Sequence, residues 1–201
     1  MTPTKIAIFA SGNGSNCENI IRYFQSHATI SVALVVSDKA TANVVGRAEK
    51  HGVDVKIISK EQLRTEQFLL PLLKDYGINF IVLAGFLQMI PSFLIDAYHR
   101  RLINIHPSLL PKYGGKGMYG RHVHEAVHAA REPETGMTVH WVTEECDGGE
   151  IIEQYSTPLL PSDSIDDIAR KEHELEMKYF PKVIEEVVER EEKVTVKTRF
   201  L

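Results

Sequence analysis

Cysteine is nearly absent from this 201-residue chain. Cys17 and Cys146 lie far apart and form no CxxC pair, which argues against a disulfide framework and reads as reduced cytoplasmic thiols. Long apolar runs are also missing. Ile6–Ala10 stops at Ser11, too short for a signal peptide or a membrane span, so the sequence predicts a cytoplasmic protein. Nor does one sign of charge dominate. With 23 Lys and Arg against 27 Asp and Glu, the formal charge is −4. That balance argues against a general nucleic-acid or membrane-surface binder. No internal repeat, low-complexity tract or linker interrupts the chain. Its 43% apolar and 25% charged residues are ordinary for a globular protein. The length suits a single domain spanning 1–201, with little room for a second.

What is present reads as alternating strand and helix. Lys5–Ala10, Ile30–Ser37, Val53–Ile58, Phe80–Ala84 and Leu102–Ile105 are short apolar runs of the kind buried inside a parallel sheet. Between them fall helical patterns at Ser15–His27, Asn43–His51 and Lys60–Tyr76, the last with a break or fresh start at Pro71. The expected class is α/β: a doubly wound, mostly parallel sheet with right-handed crossovers. The second half changes character. Thr138–Thr143 and Ile151–Pro158 read as strands joined around Asp147-Gly148-Gly149, an antiparallel addition to that sheet. Ser164–Arg190 reads as a long amphipathic helix, kinked or restarted at Pro181, with a solvated acidic end at Glu185, Glu186, Glu189, Glu191 and Glu192. In open α/β sheets ligands lie beyond the carboxyl ends of the strands, where Ser11–Asn16, Gly85–Met89 and His106–Pro111 all fall.

Three groups carry chemistry. Ser11–Asn16 follows a strand and opens a helix, the context in which glycines and exposed helix N–H groups hold a phosphate; a plain tight turn capped by Ser15 is the simpler reading. A dinucleotide fingerprint would use Gly12, Gly14 and Asp38, but Cys17 stands where its third glycine belongs, and the loop lacks the lysine of a Walker motif. His124-Glu125-Ala126-Val127-His128 matches HExxH, yet its helix, Arg121–Arg131, is short and no third ligand is spaced convincingly beyond it. The segment Asn104-Ile105-His106-Pro107-Ser108-Leu109-Leu110-Pro111 is stiffened by two prolines. With Asp147 it offers a carboxamide, an imidazole and a carboxylate but no nucleophile. That set suits polarising a carbonyl and moving protons, the carboxylate raising the imidazole's pKa. Asp147 could equally be a turn residue before two glycines.

Taken together, Gly12–Asn16, Leu83-Ala84-Gly85-Phe86, Asn104–Pro111 and Asp147-Gly148-Gly149 resemble the glycinamide ribonucleotide transformylases of the formyltransferase superfamily, in order and over almost the whole chain. The resemblance implies a Rossmann-like formyltransferase fold. It also implies transfer of a formyl group from 10-formyltetrahydrofolate to the amine of 5-phosphoribosylglycinamide in purine synthesis, with small-molecule substrates and no metal, nucleic acid or membrane. By motif match Asn104, His106 and Asp147 would be catalytic, His106 being charged and held by Asp147. Gly12, Asn13, Gly14, Ser15 and Asn16 would hold the phosphate, and His173 and Glu176 would contact the ribonucleotide, His173 standing where the family has glutamine. Arg64, Leu87, Gln88, Met89, Ile90, Asn104, Thr143, Glu144, Glu145 and Cys146 would border the folate. The chain departs from the family after Pro111, where four glycines in Lys112–Gly120 suggest a mobile lid. A 10-formyltetrahydrofolate deformylase normally carries an N-terminal regulatory domain, whereas this chain begins at its first strand. Methionyl-tRNA formyltransferase adds an RNA-binding domain, a poor fit to the glutamate-rich run after Pro181. A non-catalytic nucleotide-binding module is the remaining alternative.

Overall fold

The computed structural model describes residues 3–199, with side chains as far as 193. The described residues fall into two compact units, one running to Ile103 and resuming at Pro181, the other Asn104–Phe180. In the first, strands β1 (Thr4–Phe9), β2 (Ile30–Ser37), β3 (Asp54–Ile57) and β4 (Phe80–Leu83) pair in parallel in the order β3-β2-β1-β4. Helices α1 (Ser15–Phe24), α2 (Asn43–Lys50), α3 (Lys60–Leu63) and α4 (Glu66–Asp75) connect them, and α5 (Ser92–Ala97) leads to β5 (Leu102–His106). The second unit holds α6 (Arg121–Ala129), the antiparallel pair β6 (Glu134–Trp141) and β7 (Ile151–Pro158), and the first half of α7 (Ile165–Arg199). The strands order as β3-β2-β1-β4-β5-β6-β7.

Apolar residues on both faces explain the inner strands. Ile6, Ile8, Phe9, Leu34, Val35, Val36, Ile81 and Val82 are all fully buried, and each such side chain contributes about 1.5–3 kcal/mol. The chain leaves β1 toward β2 on one side and returns at β4 on the other. This is the switch point at which α/β sheets open a crevice beyond their strand ends.

Several elements differ from the sequence expectation. The break in Lys60–Tyr76 falls at Arg64 and Thr65, not at Pro71. Ser59 and Gln62 form a reciprocal capping box that starts one short helix, and α4 then runs through Pro71 on its exposed side. Helix α5 carried no clear periodic signal. Strand β6 starts four residues early, at Glu134. Helix α7 continues through Pro181 to Arg199. Its acidic end is not simply solvated: Glu185 binds Tyr23 and His27, Glu191 pairs with Arg100 at 3.6 Å, and Glu192 binds Thr4.

Candidate active site

In the second unit, β5 delivers Asn104 and His106 to one face of the strand, two residues apart. The loop that follows is fixed by Thr138 of β6, which is fully buried. Its hydroxyl donates to the Ser108 carbonyl (2.6 Å) and accepts from Leu110 N–H (3.0 Å) and the Gln154 amide (2.8 Å). That uses its one proton and both lone pairs. Gln154 of β7 also donates to the Leu110 carbonyl at 2.9 Å, and Ser108 Oγ to that of Lys112 at 2.7 Å. The Leu110–Pro111 bond is cis.

Asp147 meets this loop from residues 142–150, which join β6 to β7 by an excursion longer than the tight turn the sequence suggests. Asp147 has φ +55°, and Gly149 passes so close to β6 that a Cβ there would lie 1.7 Å from the Trp141 carbonyl. Only glycine fits that position. The Asp147 carboxylate accepts from Gly115 N–H at 2.9 Å and faces His106 Nδ1 at 3.5 Å, Asn104 Nδ2 at 3.5 Å and His140 Nε2 at 3.6 Å. Burial raises its pKa, but His140, His106 and the Gly115 N–H outweigh that and hold it below the ordinary value.

His106 departs from expectation in its charge. Burial pushes its pKa down, and the opposing pull of Asp147 and of the Tyr113 carbonyl does not reverse the shift. The ring is therefore mostly neutral at neutral pH in the free protein, whereas a carboxylate neighbour alone would raise its pKa. Its Nε2 lies 2.7 Å from the Tyr113 carbonyl, so the single proton belongs there. Nδ1 faces Asp147 beyond normal hydrogen-bond range, and the second proton would complete that ion pair. At rest a carbonyl of the Gly-rich segment holds the donor that an oxyanion would need.

His140 is a member of the site that the motifs did not reveal. Its Nδ1 lies 2.9 Å from the Trp141 carbonyl, and its Nε2 lies 3.0 Å from Asn104 Nδ2. This fixes the carboxamide beside Asp147. A signal existed: Thr138 and His140 alternate with the apolar Met137, Val139 and Trp141 in β6 and are buried with them, and such polar groups need partners. Glu176 on α7 accepts from His173 Nδ1 at 3.1 Å and contributes to the field at His106. Thr143 Oγ1 donates to the Glu145 carbonyl at 3.2 Å, Glu144 and Glu145 are exposed, and Cys146 touches Asp147. Burial raises the pKa of Cys146, and that of Cys17 to about 12, so neither is a thiolate nucleophile at neutral pH. In the HExxH match His124 is buried and His128 exposed. Among the described residues no group of three or more His, Cys, Asp or Glu is disposed to hold a metal ion.

In the first unit, Ser11–Asn16 and Gly85–Met89 meet. Ser11 N–H donates to the Gly85 carbonyl (3.0 Å), and Leu87 N–H to Ser11 Oγ (3.1 Å). Phe86 anchors its loop edge-on against Phe9, with centroids 5.3 Å apart. Gly14, not Ser15, is the N-cap of α1, at φ +78° and with no side-chain cap. A glycine N-cap leaves the helix start without a capping side chain of its own, the setting in which helix N–H groups hold anions. A Cβ on Gly14 would lie 2.6 Å from that of Val44. Asn13 Oδ1 faces Asn43 Nδ2 (3.4 Å) and Arg47 Nη2 (3.5 Å), and Arg47 also binds Glu18. These α2 residues, unforeseen from the sequence, bring a cation to the loop. Gln88 donates to Asp38 at 2.8 Å, occupying the acid a dinucleotide would use. Leu87 and Met89 are exposed at 48% and 55%, Ile90 is buried, and Arg64 is exposed at the end of α3.

The sequence pattern of the formyl transferase family matches residues 4–184. The chain is 36% identical over 189 residues to the phosphoribosylglycinamide formyltransferase of Bacillus subtilis, covering 92% of this chain and 94% of that one. It is 34% identical to the chloroplastic phosphoribosylglycinamide formyltransferase of Arabidopsis thaliana over 92% of this chain, but spans only 65% of that relative's length. It is also similar to the crystal structure of phosphoribosylglycinamide formyltransferase from Streptococcus pneumoniae, at a TM-score of 0.80 and 33% identity over 92% of this chain and 99% of that one.

Proposed function

This chain belongs to the formyl transferase family, and on that premise we propose that it transfers the formyl group of 10-formyltetrahydrofolate to the amine of 5-phosphoribosylglycinamide, a step of purine synthesis. The observation that carries this reading is the meeting of Asn104, His106 and Asp147 on one rigid support. The acceptor amine attacks the formyl carbon, and a tetrahedral oxyanion develops. His106 turns its Nε2–H from the Tyr113 carbonyl to that oxygen, and Asn104 supplies a second donor. As charge develops the ring takes up a proton from bulk water at Nδ1, where Asp147 stabilises it, and returns it when the intermediate collapses, so that His106 serves as donor and acid. Water relays the proton from the attacking amine to the leaving folate nitrogen.

Gly12–Asn16 receives the phosphate, supported by the uncapped start of α1. His173 and Glu176 hold the ribose, since a carboxylate accepts hydroxyl protons. Arg64, Leu87–Ile90, Asn104 and Thr143–Cys146 border the folate, whose pterin edge pairs with backbone groups and whose carboxylates suit a guanidinium. Residues 1–201 act as one formyltransferase domain on small-molecule substrates in the cytoplasm. No helix among the described residues is long and apolar enough to cross a membrane.

The test is tetrahydrofolate release by the purified protein, with and without 5-phosphoribosylglycinamide. Release only with the acceptor, matched by formylated product, is expected. Release without it would mean a deformylase, and none in either case would overturn the reading.

A further inference from the structure

Helix α7 carries a pair of acids that the mechanism above leaves half used. Glu172 and Glu176 stand one turn apart on the same face and are 3% and 8% exposed. Their side chains are hydrogen-bonded to each other. Two carboxyl groups in that contact share a proton, because both cannot be ionised at once. The surroundings decide which one keeps it. Glu176 accepts from His173 Nδ1 at 3.1 Å. It also lies within electrostatic reach of His124 from α6 and His106 from β5, with Arg121 acting on His124 in turn. Glu172 faces no cation among the described residues, and its Oε1 is buried without a hydrogen-bond partner. Burial first, and then the Glu176 charge, push the Glu172 carboxyl well above the ordinary range. The acid is Glu172 and the anion Glu176.

We propose that Glu172 is a positioning residue for the acceptor substrate: as a neutral acid it donates to Glu176 and, with His173 at Oε2, fixes that carboxylate in the orientation that receives the ribose hydroxyls. This rests on the assignment of Glu176 to the ribose. A buried acid with one orphan oxygen costs the fold. The compensating benefit is sought in binding. A second negative charge on the pair would repel Glu176 out of position, whereas a shared proton holds it still.

The test compares the wild type with Glu172→Gln, which keeps an N–H donor, and Glu172→Val, which keeps only bulk. In Glu172→Val the KM for 5-phosphoribosylglycinamide rises about tenfold, the worth of one hydrogen bond to a charged group, with the folate KM unchanged and kcat within about threefold. Glu172→Gln stays within about twofold of wild type at neutral pH. As pH rises the wild-type KM climbs when Glu172 ionises, and Glu172→Gln lacks that limb. An infrared protonated-carboxyl band at neutral pH, present in the free wild type and lost in Glu172→Gln, identifies the acid without any substrate. No such band, an unchanged KM in Glu172→Val, or equal impairment of both variants would overturn the inference. A wild type that shows the band yet formylates no 5-phosphoribosylglycinamide would instead overturn the proposed function and the ribose assignment with it.

Discussion

Replacing Asp147 with asparagine removes one charge while keeping shape and the acceptor for Gly115 N–H. The charge lost lies 3.5 Å from His106 Nδ1, with both side chains largely buried. At an effective dielectric of about 20, unit charges at that distance attract by about 5 kcal/mol. The imidazolium forms only as the oxyanion develops, so the loss falls on the transition state rather than on substrate binding. Part of it is recovered by the neutral amide and by water. An expected loss of about 3–4 kcal/mol, or 10²–10³ in kcat, is what one oxyanion donor is typically worth. Two assays check this: tetrahydrofolate release at saturating substrates, and the His106 ring followed by NMR against pH. Burial already holds the His106 pKa below the ordinary value, and Asp147 opposes that, so the variant's ring must titrate lower still. A His106 that titrates at or above its wild-type position, or turnover within threefold of wild type, would refute the reasoning.

Thr138→Val removes the hydroxyl that joins the Ser108 carbonyl, Leu110 N–H and Gln154. Leaving such buried partners unsatisfied should cost about 1–3 kcal/mol each, read as a lower urea midpoint together with a fall in kcat as the His106 loop loosens. Gly14→Ala places a methyl against Val44 at a left-handed φ. It should raise the KM for the phosphorylated acceptor while leaving the folate KM unchanged, and an equal effect on both would contradict a local phosphate site. Glu172→Val removes an acid that the fold keeps protonated and the unfolded chain ionises, so its stability relative to wild type should rise with pH. Because the folded pKa of Glu172 is raised, its cost is absent below the unfolded pKa, where both states are protonated. The cost grows as pH rises from there toward the folded value. Urea unfolding at pH 4 and pH 7 should therefore show the variant gaining on the wild type at the higher pH, and a difference that does not change with pH would contradict a buried neutral Glu172.

Most of the fold was legible because its strands are short, apolar and separated by periodic helices. Ile30–Ser37 and Ile151–Pro158 coincide with β2 and β7 to the residue. Boundaries slipped where capping or packing overrode pattern. Pro71 was read as a break, yet the helix breaks at Arg64 and Thr65, after the short helix that the Ser59–Gln62 capping box starts. The antiparallel partner of β7 extends β6 back to Glu134, paired with Pro158, although Glu134 carries no strand signal of its own. In the site, Asn104, His106 and Asp147 were legible as residue types, and Gly14 as a backbone necessity. His140 and Arg47 were not, since each acquires meaning only from a neighbour distant in sequence: Asn104 for one, Asn13 for the other.

The charge of His106 is set by burial as well as by its carboxylate neighbour. A carboxylate beside an imidazole suggests a standing cation, and the 3.5 Å separation from Asp147 supports that expectation. The ring is also shut away from water, and desolvation acts on the cation wherever its partner stands. Asp147 is shared as well, with Asn104, Gly115 N–H and His140 drawing on the same two oxygens. A carboxylate divided among four neighbours does not by itself hold a second proton on His106 against burial. In the proposed mechanism Asp147 supplies the counter-charge once the ring takes up a proton beside the developing oxyanion. A group that becomes charged only when the reaction demands it favours the transition state over the bound substrates, and that difference is what lowers the barrier.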